Sequence, residues 1–275
     1  MQSTVYRLAT VKELALSTNI NLSAKDGDHR GHVQNGVNQT ASPQTSLLEA
    51  TQAWIREAIL AGRYQAGEKL IERELSEMTG ASRPILREAM SHIGARGLIA
   101  RQSYRGYRVA HLSTRSIFEI FELRASVETL AAELFTERAS DQEVKEIGAA
   151  FRAIEAGITA NDLKKIRAAK DLFFTILFSG CRNAEIRRAL ENVIDRILYL
   201  RTQLMIDPRR QQDSLVEMRL LTEALQDRNR IEARAASLAH LESARDALVA
   251  QLSAAAKTKV AKATAKSSLK ALKNG

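Results

Sequence analysis

The stretch GASRPILREAM, residues 80–90, decides how the first part of this chain folds. Ser82 is a favourable residue to precede a helix, and Pro84 suits a first turn because its missing N–H would have no intrahelical partner there. Apolar residues then recur at helical spacing, at Ile85, Leu86, Ala89, Met90 and Ile93. The pattern predicts a helix that packs along one side and presents Arg83 and Arg87 elsewhere.

The segments on either side of this stretch predict further short elements. Apolar residues at helical spacing begin at Leu47 and stop before Gly62, and a shorter amphipathic segment, LIERELSEMTG, follows. After Gly97, the run LIARQSYRGYRVAHL has two β-prone parts around a turn that contains Gly106, which is typical of a hairpin. The order helix, helix, tight turn, helix, hairpin predicts a winged helix-turn-helix domain over residues 46–112.

This arrangement predicts contacts to double-stranded DNA. A helix in the major groove faces base edges and phosphates with its N-terminal turns, where Ser82 suits phosphate oxygens and Arg87 suits guanine. The hairpin adds cations around a glycine, in the run RQSYRGYR. The predicted DNA-binding residues are Ser82, Arg83, Pro84, Arg87, Arg101, Arg105 and Gly106, with Arg108 as a further cation of the hairpin. The alternative is that Arg83 and Arg87 are ordinary solvated arginines, with Arg87 paired to a nearby glutamate.

Residues 113–253 predict about six or seven helices, packed as an all-helical domain for ligand sensing and dimerisation. Helix starts are marked by Ser113, Ser140 with Glu143, Asn161, Asn183, Asp213, and Asn229 with Glu232. The predicted fold class is mainly α, with an N-terminal winged helix-turn-helix followed by an all-helical bundle effector domain.

Both ends of the chain predict disorder. Residues 1–45 are rich in polar residues without an apolar period, so His29 and His32 are interpreted as solvated. Residues 254–275 hold six lysines and no acidic residue. The net charge is +9, and about +3 remains without this tail, so most of the basic excess lies outside the predicted folded body.

The composition predicts a cytoplasmic protein without a membrane span. Charged residues interrupt every apolar stretch, and lysine and glutamate stand in the N-terminal segment where a secretory signal would be apolar. A single cysteine, Cys181, excludes an intrachain disulfide framework and fits a reducing compartment.

The run AGEKLIERELSEMTGASRPILREAMSHIGARGLIARQSYRGYRV, residues 66–109, resembles the DNA-binding domain of the GntR family of bacterial transcription regulators. The likeness extends over about residues 48–249 and points to the FadR-type branch, which has an all-helical C-terminal (FCD) effector domain. Within it, LRASVETLAAEL matches the opening helix of that domain, with Arg124 and Glu128 in place. Two departures stand in the DNA-binding motif, where Pro84 replaces the usual threonine and Ile85 the usual proline.

The resemblance also implies a place for a metal. Many members of this branch hold a divalent ion with one aspartate and three histidines, which map here to Asp171, Thr175, Met218 and His240. Two of the four ligands are lost, because a threonine hydroxyl and a thioether are poor ligands for such an ion. We therefore predict no metal and no cofactor, and we interpret Asp171 and His240 as bonded to each other or to neighbours in the bundle.

The same mapping predicts an effector site lined by Arg124, Asp171, Thr175, Arg201, Met218 and His240. A pocket without a metal needs another positive group to bind an anion, so Arg124 and Arg201 would pair with an organic acid or an acyl thioester. The alternative for each arginine is an ion pair with an acidic neighbour.

These observations predict a homodimeric transcription regulator that reads a short inverted repeat and responds to a small, anionic metabolite. A second hypothesis is an architectural DNA-binding protein with little sequence preference, driven by the lysine-rich tail. A third, an enzyme, has thin support, because Cys181 has no histidine near it in sequence and no nucleophile is marked beside Asp171 and His240.

Overall fold

The computed structural model describes residues 43–102 and 106–273, with side chains described from Leu47 to Ala254 apart from residues 103–105. The chain divides into two units, the first ending at His111 and the second beginning at Leu112. Within the described ranges, ten helices and three short strands are present. The predicted fold class, a winged helix-turn-helix followed by an all-helical domain, is confirmed.

The first unit alternates short helices and strands. Its elements are α1 (Pro43–Leu60), β1 (Lys69–Leu70), α2 (Glu72–Thr79), α3 (Arg83–Ala95), β2 (Ile99–Gln102) and β3 (Gly106–Val109). Gly80 ends α2 in the left-handed region with φ of 69°, which glycine adopts without a steric penalty. This residue makes the tight turn that sets α3 at an angle to α2. The buried faces of the helices meet in a core that includes Trp54, Ile59, Leu75, Leu86 and Met90.

A three-stranded antiparallel sheet of order β1-β3-β2 closes this unit. The predicted hairpin is confirmed, since Ile99 pairs with Val109 and Gln102 with Gly106. Gly106 is the first residue of β3, with φ of 78°, rather than part of the turn as predicted. Strand β1 was not predicted, because two residues are too few to show a period of two along the sequence.

All the secondary-structure elements that the structure describes in the second unit are helices. They are α4 (Thr114–Arg138), α5 (Asp141–Thr159), α6 (Leu163–Gly180), α7 (Ala184–Glu191), α8 (Ile194–Met205), α9 (Pro208–Gln226) and α10 (Arg230–Lys273). Apolar side chains from these helices form two buried clusters, one around Phe135 and Phe173 and the other around Phe121 and Leu200. Helix α4 contributes to both clusters and packs along α10.

Most of the predicted helix starts are confirmed. Ser113 and Asn183 accept bonds from the first turns of α4 and α7, and Ser140 forms the predicted capping box with Glu143. Asn229 likewise accepts a bond from the backbone of Glu232.

Two predicted starts are wrong. Asn161 lies in the left-handed region with φ of 49°, and the next residue, Asp162, is the cap of α6. Helix α9 begins at Pro208 rather than near Asp213, because Asp207 caps it and a proline is tolerated in the first turn.

The C-terminal helix is longer than the sequence predicts. Helix α10 continues to Lys273, whereas residues 254–275 were predicted to be disordered. Alanine, lysine and leucine are strong helix formers, and no glycine or proline interrupts the run, so local propensity favours continuation. At the other end, α1 begins at Pro43, inside the predicted tail, and His29 and His32 lie outside the described residues.

Long-range bonds tie the end of α4 to the start of α10. Arg228, just before α10, donates to the carbonyl oxygens of Thr136 at 3.1 Å and Ala139 at 2.9 Å. Glu133, which is buried on α4, accepts from Arg230 at 2.8 Å and also pairs with Arg234. The last helix of the bundle is thereby fixed to the first.

We expect Gly180→Ala to lower the free energy of unfolding of the bundle by about 1–3 kcal/mol, because overpacking forces side chains off their preferred positions. A Cβ atom at Gly180 would lie 2.5 Å from the ring of Phe135, which is fully buried. Denaturant unfolding followed by far-ultraviolet circular dichroism measures the change.

The matched control is Gly148→Ala, also in a helix of the bundle. Its Cβ would meet mainly the amide end of Gln226, a flexible side chain that can move away at little cost. An equal loss of stability in both variants would contradict the role assigned to the Phe135 contact.

Candidate DNA-reading surface and effector cavity

Helix α3 presents a polar face at its N-terminal end. Ser82, Arg83, Pro84 and Arg87 are all exposed, whereas the opposite side of the helix is buried through Leu86, Ala89, Met90 and Ile93. The arrangement follows from helical geometry, since residues three and four apart share a face. The predicted residues of this helix therefore lie together on one accessible surface.

Ser82 occupies the position before α3, but it does not cap the helix. Its backbone is extended, with φ of −66° and ψ of 157°, and its side chain makes no capping hydrogen bond in the described structure. The expected N-cap bond is therefore absent. The hydroxyl group is not used by the helix and is available to a phosphate oxygen.

Arg87 forms an ion pair across the helix-turn-helix. Its Nε lies 3.1 Å from Oε2 of Glu72, and its side chain is 65% exposed. The pairing with a glutamate that the sequence left open is thus present. Exposed pairs of this kind contribute roughly 0–1 kcal/mol, so Arg87 can exchange its partner for a base or a phosphate at little cost.

The hairpin retains one described cation that faces solvent. Arg101 on β2 is exposed, and Arg105 lies outside the described residues. Arg108 donates to Gln102 at 3.0 Å and to the carbonyl oxygen of Gly67 at 2.9 Å. These bonds connect β3 to β2 and to the loop before β1, so Arg108 has a role within the sheet.

Helices of the bundle line a small, partly open cavity. Its lining comprises Arg124, Lys170, Phe174, Arg201, Leu204, Met205, Arg210, Gln211, Ser214, His240 and Ala244. The volume is about 30 Å³, which is room for one or two water molecules. Four of the lining side chains are basic and none is acidic.

Arg124 is neutralised by an acidic neighbour one helical turn away. Its Nε donates to Oε1 of Glu128 at 2.6 Å, and both side chains are only 2% exposed. Arg201 approaches the same carboxylate at 4.0 Å and lies over the ring of Phe174, 3.6 Å from its centroid. Burial alone would raise the pKa of Glu128, but the two guanidinium groups outweigh it and hold that pKa below its usual value.

A second buried network joins α9 to α10. Arg210 donates to Glu217 through both terminal nitrogens, at 3.1 and 2.8 Å, and Nδ1 of His240 lies 2.7 Å from Oε2 of Glu217. Burial lowers the pKa of His240 to about 4, so the neutral imidazole donates to the carboxylate. Burial opposes ionisation of Glu217, but hydrogen bonds from His240, Ser243 and Arg210 lower its pKa to about 2.

Lys170 is the cation of this cavity that lacks an acidic partner among the described side chains. Its Nζ donates to the hydroxyl of Ser214 at 2.9 Å. Burial and the positive charges of Arg210 and Arg201 together lower its pKa to about 7, against the opposing effect of the Glu217 carboxylate. Arg210 also has an unsatisfied donor, since its buried Nε has no hydrogen-bond partner in the described structure.

The predicted effector site is only partly brought together. Arg124, Arg201 and His240 line the cavity, but Asp171, Thr175 and Met218 do not.

Thr175 and Met218 have other surroundings, and the charge of Asp171 acts on Arg201. Thr175 is exposed and donates to the backbone of Asp171 at 2.8 Å, and Met218 is buried in the apolar core. The α6 residues that reach the cavity are Lys170 and Phe174, each one position earlier than predicted.

The cavity does not suit a divalent metal ion. It offers one imidazole, whose Nδ1 already bonds to Glu217, together with four basic groups that repel a cation. Nowhere in the described part of the chain do three or more His, Cys, Asp or Glu side chains gather as a metal site would require.

Sequence reasoning missed the residues that surround the cavity from α6 and α9. These are Lys170, Phe174, Arg210, Gln211, Ser214 and Glu217. A signal for Lys170 was available, because it stands four residues after Ile166 and four before Phe174, on the stripe that is otherwise apolar. A lysine on the core-facing side of a helix is rare without a functional or structural reason.

A winged helix-turn-helix joined to an all-helical domain with a polar cavity defines a two-domain, DNA-binding transcription regulator. The family models agree with this class. The description "Bacterial regulatory proteins, gntR family" matches residues 47–109, and "FCD domain" matches residues 119–243. The chain belongs to the GntR family and carries an FCD domain, so the resemblance inferred from the sequence is confirmed.

Similar proteins include regulators of the same kind. The HTH-type transcriptional regulator YdhC of Bacillus subtilis is 26% identical over 190 residues, covering 68% of this chain and 84% of that protein. The Nta operon transcriptional regulator of Aminobacter aminovorans is 28% identical over 188 residues, covering 68% and 87%. A putative GntR regulator from Rhodococcus sp. RHA1 shares the fold, with a TM-score of 0.67, 20% identity and coverage of 75% and 99%.

These findings exclude one of the hypotheses drawn from the sequence. GntR proteins are DNA-binding regulators without catalytic activity, so the chain is not an enzyme, as predicted. Among the described residues, no helix combines the length and the apolar character that crossing a membrane would require.

We expect Lys170→Met to raise the free energy of unfolding at pH 7 by on the order of 1 kcal/mol, because an apolar side chain replaces a charged one that is partly buried. The folded pKa of about 7 lies below the ordinary value of 10.5, so the unfolded chain binds more protons between these values. Protonated Lys170 lowers the free energy of unfolding by its full amount below pH 7, and this destabilisation disappears as the pH rises towards 10.5. The difference in free energy of unfolding between Lys170→Met and the parent should therefore become smaller as the pH rises.

Denaturant unfolding at pH 6.5 and pH 9.5 measures this change. Lys164→Met, at an exposed position of the same helix, is the control and should leave stability unchanged at both pH values. A Lys170 variant that is less stable than the parent at pH 6.5 would contradict the assigned electrostatic cost.

Proposed function

We propose that this protein is a homodimeric, cytoplasmic regulator that reads a short inverted repeat in double-stranded DNA and responds to a small carboxylate. The observation that carries the DNA-reading part is the accessible face of α3, where Ser82, Arg83, Pro84 and Arg87 lie together. A recognition helix contacts base edges with these N-terminal turns, and a two-fold dimer places two such helices on two half-sites.

Exposed apolar side chains on the bundle support association with a second copy. Val216 and Leu220 are one helical turn apart on α9, and Leu172 is exposed on α6. Isolated apolar residues on a surface are ordinary, but a pair on one helix face suits a self-complementary interface.

The lining of the cavity supports a carboxylate as the effector. Four basic side chains without an acidic one favour an anion, and an apolar wall of Phe174, Leu204, Met205 and Ala244 favours a short hydrocarbon portion. An organic acid fits this description better than an acyl thioester, because the cavity is only about 30 Å³. Binding of any such acid requires side chains to move, which couples occupancy to the conformation of the bundle.

The lysine-rich C-terminal segment favours DNA binding with little sequence preference, as a property additional to sequence reading. Six lysines between residues 254 and 275 would strengthen binding to any DNA, with a steep dependence on salt. We propose that this segment raises general affinity, while α3 supplies sequence preference.

Selection of binding sites from a random duplex pool tests the DNA-reading proposal. We expect the full chain, and a variant that ends at Ser253, to enrich the same short inverted repeat at two salt concentrations. Enrichment of no sequence, with binding lost on truncation, would favour the architectural hypothesis instead.

On the selected repeat, we expect Arg87→Ala to weaken binding by about 1–3 kcal/mol, because a bidentate contact to a base contributes this much to discrimination. Electrophoretic mobility shift measures the affinity. Arg152→Ala, an exposed arginine of α5, controls for the loss of one positive charge. Equal effects from the two variants would show that Arg87 contributes only charge.

We expect short carboxylates to change the affinity for the selected repeat, whereas the corresponding amides do not. Couplings between two sites usually amount to about 1–3 kcal/mol, which is a change of roughly 5- to 150-fold. Fluorescence anisotropy of a labelled duplex, titrated with acetate, butyrate or hexanoate and with the three amides at equal ionic strength, measures the effect. Identical curves for acids and amides would contradict carboxylate sensing.

A further inference from the structure

Two basic groups at the junction of α6 and α9 keep donor capacity that no described carboxylate takes up. The ammonium group of Lys170 bonds to a neutral hydroxyl, that of Ser214, rather than to a carboxylate. Nε of Arg210 is buried and has no hydrogen-bond partner in the part of the chain that the structure describes. Arg210 and Ser214 stand four residues apart on α9, so both face Lys170 from the same side.

The charges around the cavity do not balance. Four basic side chains line it, and three acidic ones act on them: Glu128, Glu217 and, through its effect on Arg201, Asp171. With Lys170 protonated, this set carries one excess positive charge. Burial and the neighbouring guanidinium groups lower the pKa of Lys170, as expected for a cation without a counter-ion.

The other two arginines of the cavity are already committed. Arg124 and Arg201 share the buried carboxylate of Glu128, at 2.6 and 4.0 Å, and removing either contact would leave that carboxylate with one cationic partner fewer. A ligand therefore meets less competition at Lys170 and Arg210 than at the arginines that the sequence singled out.

We propose that Lys170 and Arg210 form the anchoring end of the cavity and together bind a single carboxylate group. One carboxylate oxygen accepts from the Lys170 ammonium group, and the other accepts from Nε of Arg210. This inference rests on the proposed carboxylate-sensing function and names the residues that carry it.

The same geometry restricts the class of ligand. One excess positive charge is neutralised by a monocarboxylate, whereas a second carboxylate would meet the apolar wall of Phe174, Leu204 and Ala244 without a donor. We therefore assign a short monocarboxylic acid as the chemical class of the ligand.

Isothermal titration calorimetry of the full chain with acetate, butyrate and hexanoate at pH 6.5 tests the assignment, with the corresponding amides as uncharged analogues. We expect the parent to bind at least one acid tenfold or more tightly than its amide. Lys170→Met should remove this preference by weakening the acid tenfold or more, with the affinity for the amide unchanged. Lys164→Met is the matched control and should behave as the parent.

The outcomes separate the inference from the proposed function. If the parent prefers an acid to its amide and Lys170→Met retains that preference, the anchoring role is overturned while carboxylate sensing stands. If the parent shows no preference for any of the three acids, carboxylate sensing is overturned and the inference with it. A denaturant unfolding curve of Lys170→Met at the same pH establishes that the variant is folded.

Discussion

The interior of the bundle depends on the pairing of charges that are removed from water. Arg124 and Glu128 stand one turn apart on α4 with almost no exposed surface, and either group alone would be strongly unfavourable there. Arg201 of α8 completes this set, and Arg210, Glu217 and His240 form a similar one between α9 and α10. Arg124 and Arg201 of the first network and Arg210 and His240 of the second line the polar cavity.

The DNA-reading unit differs from the bundle, because its core is apolar and its ion pair of Arg87 and Glu72 lies in contact with water. Leu75, Leu86 and Met90 hold α2 and α3 together, while the pair of Arg87 and Glu72 lies at the surface. Such a pair adds little to stability and leaves the arginine free to change partner. The two units of one chain thus use ion pairs in opposite ways, as a fixed part of the interior in one and as an exchangeable surface contact in the other.

The sequence predicted features that local chemistry determines and missed those that depend on packing between helices. The hairpin, the capping box at Ser140 and the cap at Asn183 could be predicted, because each requires only neighbouring residues. The inward-facing residues of α6 could not be placed reliably, because Phe173 and Phe174 are both buried and the apolar stripe is too broad to fix the rotation of the helix. The ligand pattern that the family resemblance implies maps to Asp171 and Thr175 on that helix, whereas Lys170 and Phe174 line the cavity.

The attachment of α10 to α4 has a consequence for the order in which the domain assembles. Glu133 on α4 pairs with arginines 97 and 101 residues further along the chain, and the corner after α4 is held by Arg228. The first helix of the bundle to leave the ribosome therefore finds its main partner in the last one. Contacts so distant in sequence slow folding and leave apolar surface uncovered until synthesis has passed residue 230. The bundle becomes a closed structure only as its final helix is made, so a prematurely terminated chain would be a substrate for chaperones and proteases.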